Sequence, residues 1–247
     1  MTDSVREADE FWERFEGQFR HHPANLYRYD LVAKLIKGLP HRKDTIVDVG
    51  CGNGTLLSFL KAQNIGTRHY GFDGSARAVE ANRKMLPDIE FAQWDLQDAT
   101  QAPGLEADIV ICTEVIEHMP HYAPAFTASR SLLQTGKGVF ILTTQGGPRR
   151  RHDIELIGHL RHYETGALVR ELEQHGFKCI HRQNAGWPFL DLQKILASLL
   201  MGRVVDEINS NEGPSLLFKA GCEFIGMGLK ISSKSCGPQI VIAAEAV

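Results

Sequence analysis

The chain has 247 residues, of which 43% are hydrophobic and 23% charged, with a formal net charge of −3. That length suits one large α/β domain, and the composition is ordinary for a soluble globular protein. The mild acidity excludes a nucleic-acid footprint spread over the whole surface and leaves only local basic patches to consider.

In chain order, residues 4–38 predict two helices, one before and one after the stretch HHPANLYRY. Phe11, Trp12, Phe15 and Phe19 recur at helical spacing on the first, as a core-facing stripe does. TIVDVG, RHYGFD, IEFAQW, ADIVICT and GVFILTT then read as short strands, rich in β-branched and aromatic residues and bounded by turn signals. GTLLSFLKAQNI, SARAVEANRKML and APAFTASRSLLQT, between them, carry apolar residues every three or four positions and read as helices. ETGALVRELEQHGF predicts a further helix with Thr165 at its cap, and KCIHRQNAG a strand. Residues 187–236 follow, before a last strand in PQIVIAAEAV. There Phe189, Leu192, Leu196 and Leu199 mark one helical face, and a second helix is expected around SLLFKAGCEFIGMGL. Strands alternating with helices predict an α/β fold, doubly wound, with a mostly parallel seven-stranded sheet. N-terminal helices and a helical insert before the last strand are added to it.

The five cysteines are scattered without a C-x-x-C pair, which points to reduced thiols and a cytoplasmic protein. The charged stretch MTDSVREADEFWERF lacks the apolar segment of a signal peptide, and no apolar run approaches the roughly 18 residues that span a bilayer.

The stretch IVDVGCGNGTLL places three glycines, Gly50, Gly52 and Gly54, at the end of the first strand. It has no lysine at the Walker spacing, and Thr55 stands where a dinucleotide fingerprint needs its third glycine. What remains is D-x-G-x-G-x-G. Glycines let backbone come close to a ligand, and Asp48, two residues before the first of them, suits a cationic group better than a pyrophosphate.

This loop resembles motif I of class I S-adenosylmethionine (SAM)-dependent methyltransferases, whose cofactor carries an ammonium and a sulfonium. The acids that follow fit the same family in order. The resemblance implies that Asp73, in YGFD, meets the ribose hydroxyls, and that Asp95, with Leu96 in QWDL, meets the adenine. TEVIEHM, after the fourth strand, resembles the family's motif IV region and adds Thr113 to the cofactor set. Arg28, in NLYRYDLV, matches an arginine that contacts the cofactor carboxylate in ubiquinone-biosynthesis O-methyltransferases, the nearest group by resemblance. The implied division is an N-terminal helical lid (1–40), a SAM-binding core (41–186), the insert (187–236) and the final strand (237–247). S-adenosylhomocysteine (SAH) would be the product.

Chemistry is expected beyond the fourth and fifth strands. If TEVIEHMPHY is helical, Glu114 shares a face with Glu117 or His118. In one reading His118 is a general base oriented by Glu117. In another, Glu114, Glu117 and His118 hold a divalent metal, since E-x-x-E-H resembles the motif of ubiquinone-pathway enzymes and of RNA ribose 2′-O-methyltransferases. A third leaves Glu117 and His118 structural. Downstream, Arg149, Arg150 and Arg151 read as a solvated face or as candidates for an anionic group, and His162 in GHLRHYET as a hydrogen-bonded structural histidine or as a substrate contact or base.

The leading expectation is methyl transfer to an oxygen of a small or lipid-linked metabolite, without a metal. Alternatives are a metal-dependent RNA methyltransferase and a non-catalytic SAM-binding partner protein. A small-molecule acceptor is expected as partner, with no strong nucleic-acid signal and at most peripheral membrane contact. The insert is read as a lid or a homodimer contact.

Overall fold

The computed structural model describes residues 22–98, 102–209 and 215–247. Helix α1 (Pro23–Gly38) leads into β1 (Thr45–Val49), α2 (Thr55–Ala62), β2 (Arg68–Asp73), α3 (Ala76–Met85) and β3 (Glu90–Gln93). Next come β4 (Ile109–Thr113), α4 (Ala123–Ser131), β5 (Val139–Gln145), α5 (Thr165–Gln174) and β6 (Phe177–Ala185). Helices α6 (Phe189–Leu199), α7 (Met201–Asn209) and α8 (Leu216–Ile231) precede the last strand, β7 (Gln239–Ala246).

The seven strands form one sheet in the order β3-β2-β1-β4-β5-β7-β6. The first five are parallel, and β7 runs antiparallel to both neighbours. Strands covered on both faces must be apolar along their whole length. β1 and β5 are buried at every residue and β4 at all but its last, and these three hold the centre. One face packs Phe126, Phe140 and Phe177 under α4 and α5. The other packs Ile46 and Ile109 under Ile36, Leu57 and Leu60 of α1 and α2. The doubly wound arrangement expected from the strand–helix alternation is the one observed.

Three details differ from the sequence reading. The first N-terminal helix falls outside the described residues. The second begins at Pro23 and takes in PANLYRY, because proline lacks only an N–H that the first helical turn leaves unpaired anyway. Glu164, not Thr165, caps α5, its carboxylate accepting from the Gly166 and Ala167 N–H groups, while the Thr165 hydroxyl donates to Asn184. Among its described residues the insert has three helices where two were expected, and α6 is rotated only in part from its expected face, of which Phe189 and Leu192 stay packed at the junction with α1 and α8. Leu190 and Lys194 are its buried residues, whereas Leu196 and Leu199 are 41% and 75% exposed. Leu190 packs with Ile225 and Leu229 of α8 and with Tyr27 and Leu31 of α1, and that three-helix junction sets the rotation. Among the described residues, no helix is long and apolar enough to cross a membrane.

Candidate functional site

At the carboxyl edge of the sheet, where open α/β folds place their ligands, lies a cavity of about 670 Å³. Its first wall is the glycine loop. Gly50 has φ +71°, and a Cβ on it would collide with Val115, so the turn needs glycine for both conformation and space. Gly50 and Gly52 line the cavity. Gly54 does not: at φ +68° it turns the chain into α2 against Phe91, a turn residue where a cofactor contact was expected.

Asp73, Asp95 and Leu96 line the same wall, as does Thr113 at the end of β4. Asp73 accepts from the Gly52 N–H at 2.8 Å and the Ser75 N–H at 2.9 Å, which ties the loop to the end of β2. The Asn82 amide donates to the Gly52 carbonyl from the other side, at 2.7 Å. Asp95 accepts from the Gln97 N–H at 3.0 Å. Asp48 is buried, and its Oδ1 has no hydrogen-bond partner. Burial first and the Asp73 charge second push its carboxyl well up, against the pull of Arg28. Two buried carboxyl groups and an orphaned oxygen beside close-approach glycines fit a ligand that brings positive charge.

Glu114, just after β4, takes a left-handed conformation at φ +53°, uncommon for a residue with a Cβ. Its carboxylate accepts from Gln145, from Gln239 at 3.0 Å and from Thr143 at 3.2 Å, and lies 3.3 Å from Arg28 Nη1. Burial alone would raise its pKa. Arg28 and the two amides win, and hold it down at about 2. Arg28 therefore lines the cavity already paired, with Nη2 donating to Asn25 at 2.7 Å and a buried Nε without a partner.

The expected E-x-x-E-H helix is instead one 3₁₀ turn, Ile116–His118, entered through the Glu114 kink. Glu114 and Glu117 thus do not share a helix face. Glu117 is fully buried outside the cavity lining, its Oε2 accepting from the Thr144 hydroxyl at 2.9 Å. Burial, then the neighbouring Glu114 charge, push its carboxyl well up. His118 does line the cavity. Burial lowers its pKa, against the Glu114 charge and a bond to the Gly158 backbone.

Downstream, the structure separates the two histidines of GHLRHYET. A π-type turn, Asp153–Ile157, and Gly158 at φ +80° bring His159 into the cavity, with its ring centroid 4.9 Å from that of His118. His162 stands behind it, outside the lining, its Nε2 3.0 Å from His159 Nδ1 and 3.8 Å from Asp153. Burial first, then the neighbouring His118 and His162, lower the His159 pKa to about 3, against the pull of Glu114 and Asp153. None of the three arginines lines the cavity: Arg149 donates to the His159 carbonyl and Arg151 pairs with Glu155 on the surface.

Glu117, His118 and His159 each bring one ligand atom within 4.8 Å of the others, as do Asp153, His159 and His162. Glu114 is in neither group. The cavity also takes His22 and Asn25 from the N-terminal side, His152 and Asp153 from the turn, and Gln193 and Lys194 from α6. Sequence reading missed these as site residues. Only the H-D pair in RRRHD carried any signal, since Lys194 looks like a solvent-facing residue of an amphipathic helix.

Comparison with known proteins agrees with this geometry. A family described as a methyltransferase domain matches residues 19–182. A ubiquinone biosynthesis O-methyltransferase of Acinetobacter baylyi is 29% identical over 148 residues, 58% of this chain and 60% of that one. The match thus spans less than two thirds of that relative's length. Among solved structures, magnesium protoporphyrin IX methyltransferase of Synechocystis with bound SAH superposes with a TM-score of 0.55 at 16% identity, covering 96% of this chain and 94% of that one. The complex of the Haloferax volcanii Trm112 methyltransferase activator with a candidate methyltransferase gives 0.62 at 15%, covering 96% and 98%. At such identities these two show the fold alone.

Proposed function

As the chain belongs to this family of methyltransferase domains and is a SAM-dependent methyltransferase, we propose that it methylates an oxygen of a small or lipid-linked metabolite. The cofactor supplies an activated methyl on a sulfonium, already attached to a good leaving group. The chain's own task is to align the acceptor and to take up its proton.

In this reading, Asp48, Gly50 and Gly52 hold the methionine part, whose ammonium meets the orphaned Asp48 oxygen. Asp73 takes the ribose, Asp95 and Leu96 the adenine, and Thr113 closes the edge beside them. Arg28 reaches the carboxylate with the donors that Glu114 and Asn25 leave over. The support is that all of these line one cavity. Isothermal titration with SAH tests the assignment: binding in the micromolar range is expected, and no heat at millimolar SAH overturns it.

His118 is the group that accepts the hydroxyl proton. It lines the same cavity, and burial keeps its imidazole neutral and able to take a proton at neutral pH. Glu114 stays ionised nearby and favours the imidazolium once it forms. The O-methyltransferase name of the similar Acinetobacter baylyi protein supports oxygen as the acceptor atom. His159 replaces His162 as the second ring at the acceptor.

A second reading has its own observation. Glu117 Oε1 is buried without a partner, and Glu117, His118 and His159 converge closely enough to hold one divalent cation. Such an ion would bind acceptor hydroxyls and acidify them. Activity lost on chelation and restored by magnesium or manganese selects this reading. Activity indifferent to chelator selects the His118 base.

A further inference from the structure

We propose that the cavity wall formed by α6 and the turn after β5 receives an anionic group of the methyl acceptor, a carboxylate or a phosphate, on the Lys194 ammonium. The proposal rests on the methyltransferase reading of the cavity and names the chemical class of its acceptor.

Lys194 is an unusual occupant of an interior. Its side chain is only 8% exposed, and its Nζ is buried without a hydrogen-bond partner. Lysines on amphipathic helices normally bury the stem and keep the ammonium in water. Here the helix turns the whole side chain inward, on the same face as Leu190 and into the cavity lining. The nearest countercharge is Asp153 Oδ1 at 3.5 Å, which offsets charge but lies beyond a good N–H···O distance. The ammonium of this cavity-lining residue thus makes no good hydrogen bond to the chain, and a buried ammonium without acceptors is costly.

The surroundings can hold a second anion. Asp153 is 1% exposed and accepts from the Arg150 N–H at 2.8 Å. His152 Nδ1 lies 3.1 Å from it and His162 Nε2 3.8 Å. One carboxylate therefore faces one ammonium and two imidazole rings, so an incoming anion would share the Lys194 ammonium with Asp153 and find ring N–H groups beside it. The adjacent Gln193 lines the same wall, held at 3.0 Å to His22. A counterion for Asp153 alone would close to hydrogen-bond distance, whereas the ammonium and Asp153 Oδ1 stand 3.5 Å apart and both lack a hydrogen-bond partner. No arginine of the triple-arginine run lines the cavity, so Lys194 is the cation placed to set acceptor charge on this wall.

The test uses the full chain with lysine side chains labelled with ¹⁵N, saturated with SAH. The Lys194 ammonium signal is identified by its loss in Lys194→Met. Benzoate, inorganic phosphate and uncharged benzamide are titrated in turn. A saturating shift of the Lys194 signal with benzoate assigns a carboxylate, and one with phosphate a phosphoryl group; benzamide is expected to leave it in place. With anion affinity read by calorimetry on the SAH-saturated protein, Lys194→Met, or Lys194→Gln should the first variant not fold, is expected to weaken the bound anion at least tenfold while SAH affinity stays within twofold. Asp153→Asn is expected to tighten it. If SAH binds but neither anion moves the signal, or the variant binds the anion as the wild type does, Lys194 is only an ion-pair partner and the proposal is overturned. Failure of SAH itself to bind, read separately by calorimetry, overturns the cofactor reading instead.

Discussion

The two walls of the cavity are built differently. On the loop wall, Asp73 and Asp95 sit at or just beyond the ends of neighbouring parallel strands, and they bond to backbone N–H groups a few residues away or across one strand. On the wall proposed for the acceptor, His118, His159 and Lys194 come from a 3₁₀ turn, the segment just after a π-type turn and an insert helix. The Tyr163 hydroxyl donates to the Ile116 carbonyl at 2.8 Å, and the Leu160 N–H to the Glu117 carbonyl at 2.8 Å, which fastens the two turns together. The first wall is a property of strand order. The second exists only once distant segments have packed. Cofactor binding and acceptor chemistry should therefore be separable by mutation.

The largest effect is expected on the loop wall. Asp73→Ala removes the acceptor of two backbone N–H groups and should weaken SAH by about 100-fold or more, since hydrogen bonds to a charged group are each worth about 1.5–3 kcal/mol. Calorimetry measures it, and an unchanged affinity would show that the loop holds its shape without this tie. On the acceptor wall, His118→Gln is expected to lower kcat by roughly 100-fold with SAH affinity nearly unchanged. Parallel loss of both would mean that the walls are not independent, and full turnover would remove the base role.

Acid should act mainly through the acceptor side and its flank. Burial is the leading cause of the lowered pKa values of His22, about 4, His159, about 3, His118 and His162. Below the ordinary value of 6.5 the unfolded chain therefore binds more protons than the folded one, and stability falls as pH drops from 7 towards 4. Urea denaturation at stepped pH measures the slope. His159→Gln should flatten it by up to about 1.4 kcal/mol per pH unit. The smallest change expected is from Tyr163→Phe, which loses one hydrogen bond between the turns at about 1 kcal/mol, with SAH binding intact.

How far each region could be read from sequence follows the same division. Asp48, the loop glycines, Asp73 and Asp95 were legible because a strand pattern, a turn signal and an acid recur within a few residues of one another. Gly54 belongs to the loop but not to the cavity lining, since spacing does not tell a glycine that lines a cavity from one that packs on Phe91. His159 was not singled out, because nothing local reveals a π-type turn that brings its ring to the cavity. Lys194 was invisible for a related reason. Periodicity shows that α6 has faces, but the junction with α1 and α8 decides which face is buried.

The sequence by itself determined the parallel sheet, its crossovers and the glycine-and-acid wall, because these depend on the chain's local periodicity and on short-range backbone bonding. Only the tertiary structure decided the Glu114 kink, the seclusion of Glu117, the histidines that line the cavity and the inward lysine. Those depend on which segments, far apart in the chain, come to exclude water from one another.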